Sequence, residues 1–231
     1  ETIRRRLNSI RALWSFTIDR NEIDDLRNPW AKIKHAALKR DPLKPKASQR
    51  VLPFRFEHWE MIDRWCSENP GSTRDLIVLL KSTGCRPLEI AGLQKVDVQT
   101  RGNHKVLNIR PNSNRRLKTE GSERFVPVVT LEAIEALDRL ALADRESLFR
   151  RALHNTNNTS QLLNKAIRAA GVPKSRRLVA YSIRHSVIEA MRRNQVREGL
   201  ISAIVGHSES GITARYGAGG YETSVTAEAL E

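Results

Sequence analysis

The chain has 231 residues and a mass of 26.2 kDa, room for one large domain or for one domain with a piece of another. Hydrophobic residues at 39% suffice for a core, and no apolar run approaches the length that spans a membrane. Forty Lys and Arg against 26 Asp and Glu give a formal charge of +14 and an isoelectric point near 10.4, which makes a polyanion the expected partner.

Membrane-surface binding is the other use of such a surplus. The basic residues are spread along the chain rather than collected in one amphipathic helix, which favours nucleic acid. Two cysteines, Cys66 and Cys85, encode neither a disulfide framework nor a clustered zinc site, and a reducing, cytoplasmic setting is expected. The opening Glu-Thr-Ile-Arg-Arg-Arg has neither an initiator methionine nor a signal-peptide core, so a fragment of a longer chain is expected.

In chain order, residues 2–18 place Ile3, Leu7, Ile10, Trp14 and Ile18 on one helical face, with arginines elsewhere. Asn28-Pro29-Trp30 marks a stop. Residues 39–50, KRDPLKPKASQR, carry two prolines, five basic residues and almost nothing to bury, and read as an exposed basic linker. A domain boundary is expected there. Residues 56–67 and 73–82 read as helices, the second more buried through Leu76, Ile77, Leu79 and Leu80.

Next comes Thr83-Gly-Cys-Arg86-Pro-Leu-Glu89-Ile. Gly84 permits a sharp turn and Pro87 suits a first helical position, so Arg86 stands at a helix start. Glu89 follows on the same face, where it can hold the guanidinium. From these residues alone, an ordinary surface cap with an Arg–Glu pair is the favoured reading. Segments 96–98, 106–109 and 124–129 read as short strands, with 111–123 as a polar turn carrying Lys118 beside Thr119. Most lysines in such turns are simply solvated. Helices are expected over 130–143 and 159–170.

The stretch from Tyr181 to Tyr216 is chemically the densest. Tyr181-Ser-Ile-Arg184-His185 opens it and Gly206-His207 to Arg215-Tyr216-Gly217 closes it. Between them Val187, Ile188 and Met191, then Leu200, Ile201, Ile204 and Val205, predict two short helices. Ser182 and Ser186 beside His185 hint at hydrolase chemistry, but neither lies in a nucleophile elbow. Glycine-rich nucleotide fingerprints and zinc-ligand spacings are absent.

Arg86, Lys118, Arg184, His207 and Tyr216 form a set suited to phosphoryl transfer without a metal or other cofactor. Two arginines can clamp the non-bridging oxygens of a phosphodiester, a histidine can donate a hydrogen bond or move a proton, and a lysine can protonate the leaving oxygen. A tyrosine hydroxyl can attack phosphorus and split a hard exchange into two easier steps.

In these motifs, their order and their intervals, the chain from about Arg50 to its end resembles the catalytic domain of a tyrosine recombinase of the phage-integrase family. Residues 1–40 resemble the last helices of that family's core-binding domain, 41–50 the linker, and 51–231 the catalytic domain. The resemblance implies an α+β, mainly helical fold with a small antiparallel β-sheet on one side. It implies catalytic roles for Arg86, Lys118, Arg184, His207 and the nucleophile Tyr216, with Glu89 as supporting acid. The family most often has histidine where this chain has Tyr181, which can donate a hydrogen bond to phosphate but, with a pKa near 10, is a poor general base. His185 is expected to be a packing residue.

The implied function is site-specific recombination or integration through a covalent 3′-phosphotyrosine. The implied partner is double-stranded DNA, met as a homotetramer on two sites and as a monomer when free, with the tail near 225–230 docking on a neighbouring copy. A type IB topoisomerase-like nicking-closing activity would use the same chemistry on one duplex. A catalytically silent basic DNA-binding module is the third reading; the tyrosine and two arginines argue against it, since a binder needs no nucleophile.

Overall fold

A helical stretch that is apolar on every side has to lie inside a fold, and the middle of Ser72–Thr83 is such a stretch: Leu76, Ile77, Val78, Leu79 and Leu80 are all buried. The computed structural model describes residues 2–23, 26–31, 51–116, 123–207 and 221–231. The chain divides into two compact units, Glu1–Ser48 and Gln49–Glu231. The expected linker at 41–50 lies outside the described residues.

In the first unit, helix α1 spans Thr2–Arg20 and ends where Glu22 takes φ 50°. The segment 26–31 folds back along it: Asn28 Nδ2 donates to the Arg11 carbonyl at 3.0 Å, and Arg11 Nε donates to the Trp30 carbonyl at 2.8 Å.

The second unit begins with α2 (Phe56–Glu68) and the central α3 (Ser72–Thr83), both within a residue of the sequence reading. A short α4 (Pro87–Ala91) follows, and then a three-stranded antiparallel sheet, β1 (Val98–Arg101), β2 (His104–Ile109) and β3 (Arg124–Val128), in the order β1-β2-β3. Register runs from Val98 opposite Leu107 to Arg101 opposite His104, and from Lys105 opposite Val128 to Ile109 opposite Arg124. Leu107, Ile109, Val126 and Val128 deliver the sheet's apolar face to the core.

The expected strand 96–98 is mostly a 3-10 turn, Lys95–Asp97. Its cause is the buried Asp97, whose Oδ2 accepts the Gln94 main-chain N–H at 3.0 Å and closes the turn before β1 can start.

Helices α5 (Leu131–Ala141), α6 (Thr156–Ala169), α7 (Ser182–Arg193), α8 (Glu198–Val205) and α9 (Thr223–Glu228) complete the described fold. Helix α6 starts a turn earlier than its apolar spacing suggests, because the Asn155 side chain caps it by accepting the Asn157 N–H at 2.9 Å. Helix α3 packs against α4, α5, α6, α7 and β3, so the elements carrying the motifs share one support. Helix α9, expected on a neighbouring copy, lies against β2 and β3 of its own chain, its small Thr226 and Ala227 buried. No helix among the described residues is long and apolar enough to cross a membrane.

Both cysteines are buried thiols. Burial, aided by Asp63 and Glu132, pushes Cys66 up to about 12, and burial also raises Cys85. Since the thiolate is the reactive form, Ellman's reagent at mildly alkaline pH should label neither thiol in the folded chain and both after denaturation. Prompt labelling of the native protein would contradict the burial described here.

Candidate active site

The first cluster is built by a helix end and a helix start. Helix α3 terminates at Gly84, which takes the left-handed φ of 60°. A Cβ at Gly84 would meet Val187 Cγ1 at 3.0 Å, so both conformation and space call for glycine. Arg86 then caps α4, with Pro87 in the first turn. Glu89 reaches back as its spacing predicts: Oε2 accepts the Arg86 main-chain N–H at 2.8 Å, and Oε1 accepts Arg86 Nη1 at 2.6 Å. The pair is a cap and an ion pair at once, and Glu89 is buried.

The second cluster meets the first at the end of α8. The last carbonyls of a helix have no partner within it and carry its negative partial charge. Here three successive ones are taken by three arginines from different elements. Arg124 Nε donates to the Ile204 carbonyl at 2.7 Å, Arg184 Nη2 to Val205 at 2.7 Å, and Arg86 Nη2 to Gly206 at 2.9 Å. Arg184 also donates through Nη1 to the Gly84 carbonyl at 2.8 Å, joining the end of α3 to the end of α8.

Gly206 has φ 68°, and a Cβ there would lie 2.5 Å from Arg124 Nη1, so the arginine occupies the space a side chain would need. His207 follows, its main-chain N–H bound to the Ser202 carbonyl at 3.0 Å and its side chain at the surface. Partial burial, then the charges of Arg184, Arg86 and Arg124, lower its pKa, so the imidazole is neutral at neutral pH.

Arg124 was legible in sequence only as the first residue of a strand. Its signal was an arginine opening an otherwise apolar strand just after the lysine-bearing turn. In the structure its guanidinium is buried and meets Glu89 twice, Nη2 to Oε2 at 2.8 Å and Nη1 to Oε1 at 3.3 Å. Burial alone would raise the Glu89 carboxyl, but the hydrogen bonds and charge of Arg124, then those of Arg86, hold it below the usual carboxylate range.

Arg115, expected in a solvated turn, is buried as well. Its Nη1 donates to the Glu89 carbonyl at 2.6 Å and its Nε to the Arg110 carbonyl at 2.9 Å. It lies so near Gly92 that a Cβ there would be 2.8 Å from its own Cβ. Arg115 and Arg124 thus flank residues 117–122, and both bond to Glu89. Lys118, within that segment, and Tyr216 lie outside the described residues.

Tyr181 stands just before α7, 37% exposed, its ring edge-on to His185 at 5.3 Å between centroids. It lies close to Arg184. His185, partly buried against this ring, has the packing role expected of it. The hydrolase hint dissolves: Ser182 Oγ accepts the Val179 N–H at 3.0 Å, and Ser186 Oγ accepts the Phe54 N–H at 2.7 Å. Both hydroxyls secure the main chain.

Among the described residues, Arg86 and Arg124 both pair with one carboxylate, Glu89, and Arg184 lies close to it. Arg184 is 1% exposed, and its Nε has no hydrogen-bond partner among the described residues. An unpaired buried donor beside several guanidiniums suits an anion with several oxygens. Among the described residues no group of three or more His, Cys, Asp or Glu is placed to hold a metal.

Known proteins fit this arrangement. The model of the phage integrase family matches residues 55–222. Among solved structures, the chain is similar to XerH site-specific recombinase bound to difH substrate, with a TM-score of 0.53 and 17% identity over 74% of this chain and 51% of that one. It is similar to the Tn1549 transposon integrase in complex with transposon right end DNA, with a TM-score of 0.57 and 19% identity over 99% and 77%. It is also similar to a lambda integrase tetramer bound to a Holliday junction, with a TM-score of 0.58 and 14% identity over 89% and 58%. The chain thus spans about half the length of the XerH recombinase. No curated protein matches it. At these identities the neighbours speak for the fold, mainly helical with a small antiparallel sheet. With the family model covering well over half of its length, the chain belongs to the phage integrase family.

Proposed function

We propose that this chain is the catalytic part of a site-specific DNA recombinase that cuts and rejoins duplex DNA through a covalent 3′-phosphotyrosine at Tyr216. The observation that carries the reading is the meeting of Arg86 and Arg184 at the end of α8 beside His207. Family membership, the formal charge of +14 and the DNA named with the neighbouring structures support it.

In this reaction Arg86 and Arg184 bind the two non-bridging oxygens of the scissile phosphate and stabilise the charge that builds in the pentavalent transition state. His207 and the Tyr181 hydroxyl donate further hydrogen bonds to it. Tyr216 Oη attacks phosphorus, and its proton passes to solvent. The bond to the 5′-oxygen breaks, and Lys118 gives that oxygen a proton, leaving a free 5′-hydroxyl. In the second step the 5′-hydroxyl of a partner strand attacks the phosphotyrosine and releases Tyr216. One phosphoester bond forms and one breaks at each step, so the linkage energy is conserved.

Residues 51–231 form the catalytic domain in this reading, 41–50 the linker, and 1–40 the end of a core-binding domain. The compactness of residues 1–48 as a separate unit supports the division. The active assembly is a tetramer on two DNA sites and the free chain a monomer, a reading supported by the lambda integrase tetramer among the neighbours.

Two experiments test the assignment. Nicked duplexes of randomised sequence, from which the cleaved end diffuses away, should yield a denaturant-resistant adduct with the chain, and peptide mapping should place it on Tyr216. Tyr216→Phe should abolish the adduct; its persistence would refute the nucleophile. On the duplex so recovered, Arg184→Ala should retain DNA while cleaving about 10²- to 10³-fold more slowly, the usual cost of removing a transition-state donor. Equal losses in retention and cleavage would make Arg184 a positioning residue instead.

A further inference from the structure

We propose that Arg124 is a positioning residue for this reaction, holding Glu89 and the end of α8 in one frame so that Arg86 and His207 meet the same phosphate. The reaction it serves rests on the recombinase reading; the frame itself does not.

All three guanidinium nitrogens of Arg124 are engaged by protein acceptors, whereas Arg184 keeps Nε without one among the described residues. The bonds of Arg124 end on two segments far apart in sequence. Nε holds the Ile204 carbonyl, three residues before His207, while Nη1 and Nη2 hold the Glu89 carboxylate. Glu89 in turn holds Arg86, three residues before it, through both the guanidinium and the main-chain N–H. Arg86 closes the loop on the Gly206 carbonyl. The circuit is Ile204, Arg124, Glu89, Arg86, Gly206; Arg86 is fixed in it from two sides, and His207 follows directly on Gly206.

A planar, five-donor guanidinium can span this gap, whereas an ammonium is a point donor that serves one end or the other. Gly206 lacks the side chain that would collide with Arg124 Nη1, so the strand arginine and the helix-end glycine fit as a pair. Stability alone does not call for the arrangement, since a buried ion pair is often no better than apolar packing. What it supplies is geometry, and a displacement of about 1 Å at a reacting centre can cost about 10²-fold in rate.

Titration separates this role from a merely structural one. The groups facing Glu89 are Arg86, Arg115, Arg124 and Arg184 with the Cys85 thiol, and Arg124 contributes most to keeping the carboxylate ionised. Without Arg124, burial prevails and the Glu89 pKa rises, so the acidic limb of cleavage moves to higher pH.

The test compares Arg124→Met, Arg124→Lys and Arg139→Ala. Arg139 pairs with the buried Asp75 away from the site and controls for lost stability. Cleavage of the recovered nicked duplex should fall about 10²-fold in Arg124→Met, with DNA retention within about threefold of the parent. Arg124→Lys should recover only part of the rate. Carboxyl NMR of the free chain should find Glu89 titrating at higher pH in Arg124→Met and unchanged in Arg139→Ala. With Glu89→Gln already present, Arg124→Met should no longer shift the pH profile. Parent-like cleavage by Arg124→Met, or an unmoved Glu89, overturns the proposal. Should the parent chain form no adduct while Arg124→Met still shifts Glu89, the recombinase reading falls and the frame stands.

Discussion

Everything at this site hangs on three carbonyl oxygens. Ile204, Val205 and Gly206 end α8 with acceptors that the helix cannot satisfy, and Arg124, Arg184 and Arg86 satisfy one each. The arginines arrive from β3, α7 and the start of α4, so a single helix end brings together elements separated by nearly a hundred residues of chain. The exchange is mutual. The carbonyls gain donors, and the guanidiniums gain the partners without which their burial would be prohibitive. Glu89 supplies the one full negative charge that lets two of the arginines approach each other.

The surrounding fold is arranged to keep that helix end where the arginines can reach it. Helix α3, buried along most of its length, stops at Gly84, and the Gly84 carbonyl is the second anchor of Arg184. Close contact between Gly84 and Val187 sets α7 against that turn. On the sheet side, Asp97 accepts from Arg110 Nε at 2.9 Å and from Asn112 Nδ2 at 2.9 Å, and Asn112 Oδ1 accepts the Arg115 N–H at 3.0 Å. That network ties the end of β2 to the turn before β1 and, through Arg115, to Glu89. Charged groups buried this thoroughly fix one arrangement, because any slip leaves a charge unpaired.

Interactions within a few residues were readable in the sequence, and those across the fold were not. The Arg86–Glu89 pair followed from helical spacing, and its bond lengths match that logic. The helices from α2 to α8 followed from apolar periodicity, with errors where a side chain intervened: Asn155 starting α6 early, Asp97 folding a would-be strand into a turn. The convergence of Arg86 with Arg184 was reachable only through the family resemblance, since nothing local in either motif refers to the other. Arg124 and Arg115 lay beyond reach for the same reason. In a basic chain of 40 Lys and Arg, composition cannot separate two buried arginines from the solvated majority; their distinguishing partners are backbone carbonyls and one carboxylate contributed by other elements.

The same crowding of arginines bears on Tyr181. With a tyrosine in that place, the described imidazoles next to the arginines are His185 and His207, and burial, then nearby positive charge, lowers the pKa of each. His185 is turned to the Tyr181 ring and spends its surface on packing. His207 has its side chain at the surface, beside a helix end already loaded with guanidiniums. A protonated imidazole there would add a further cation beside three guanidiniums; the neutral form adds none and offers one donor and one acceptor nitrogen. Burial and the arginines therefore act together at His207, holding it in the neutral form that can still take up a proton.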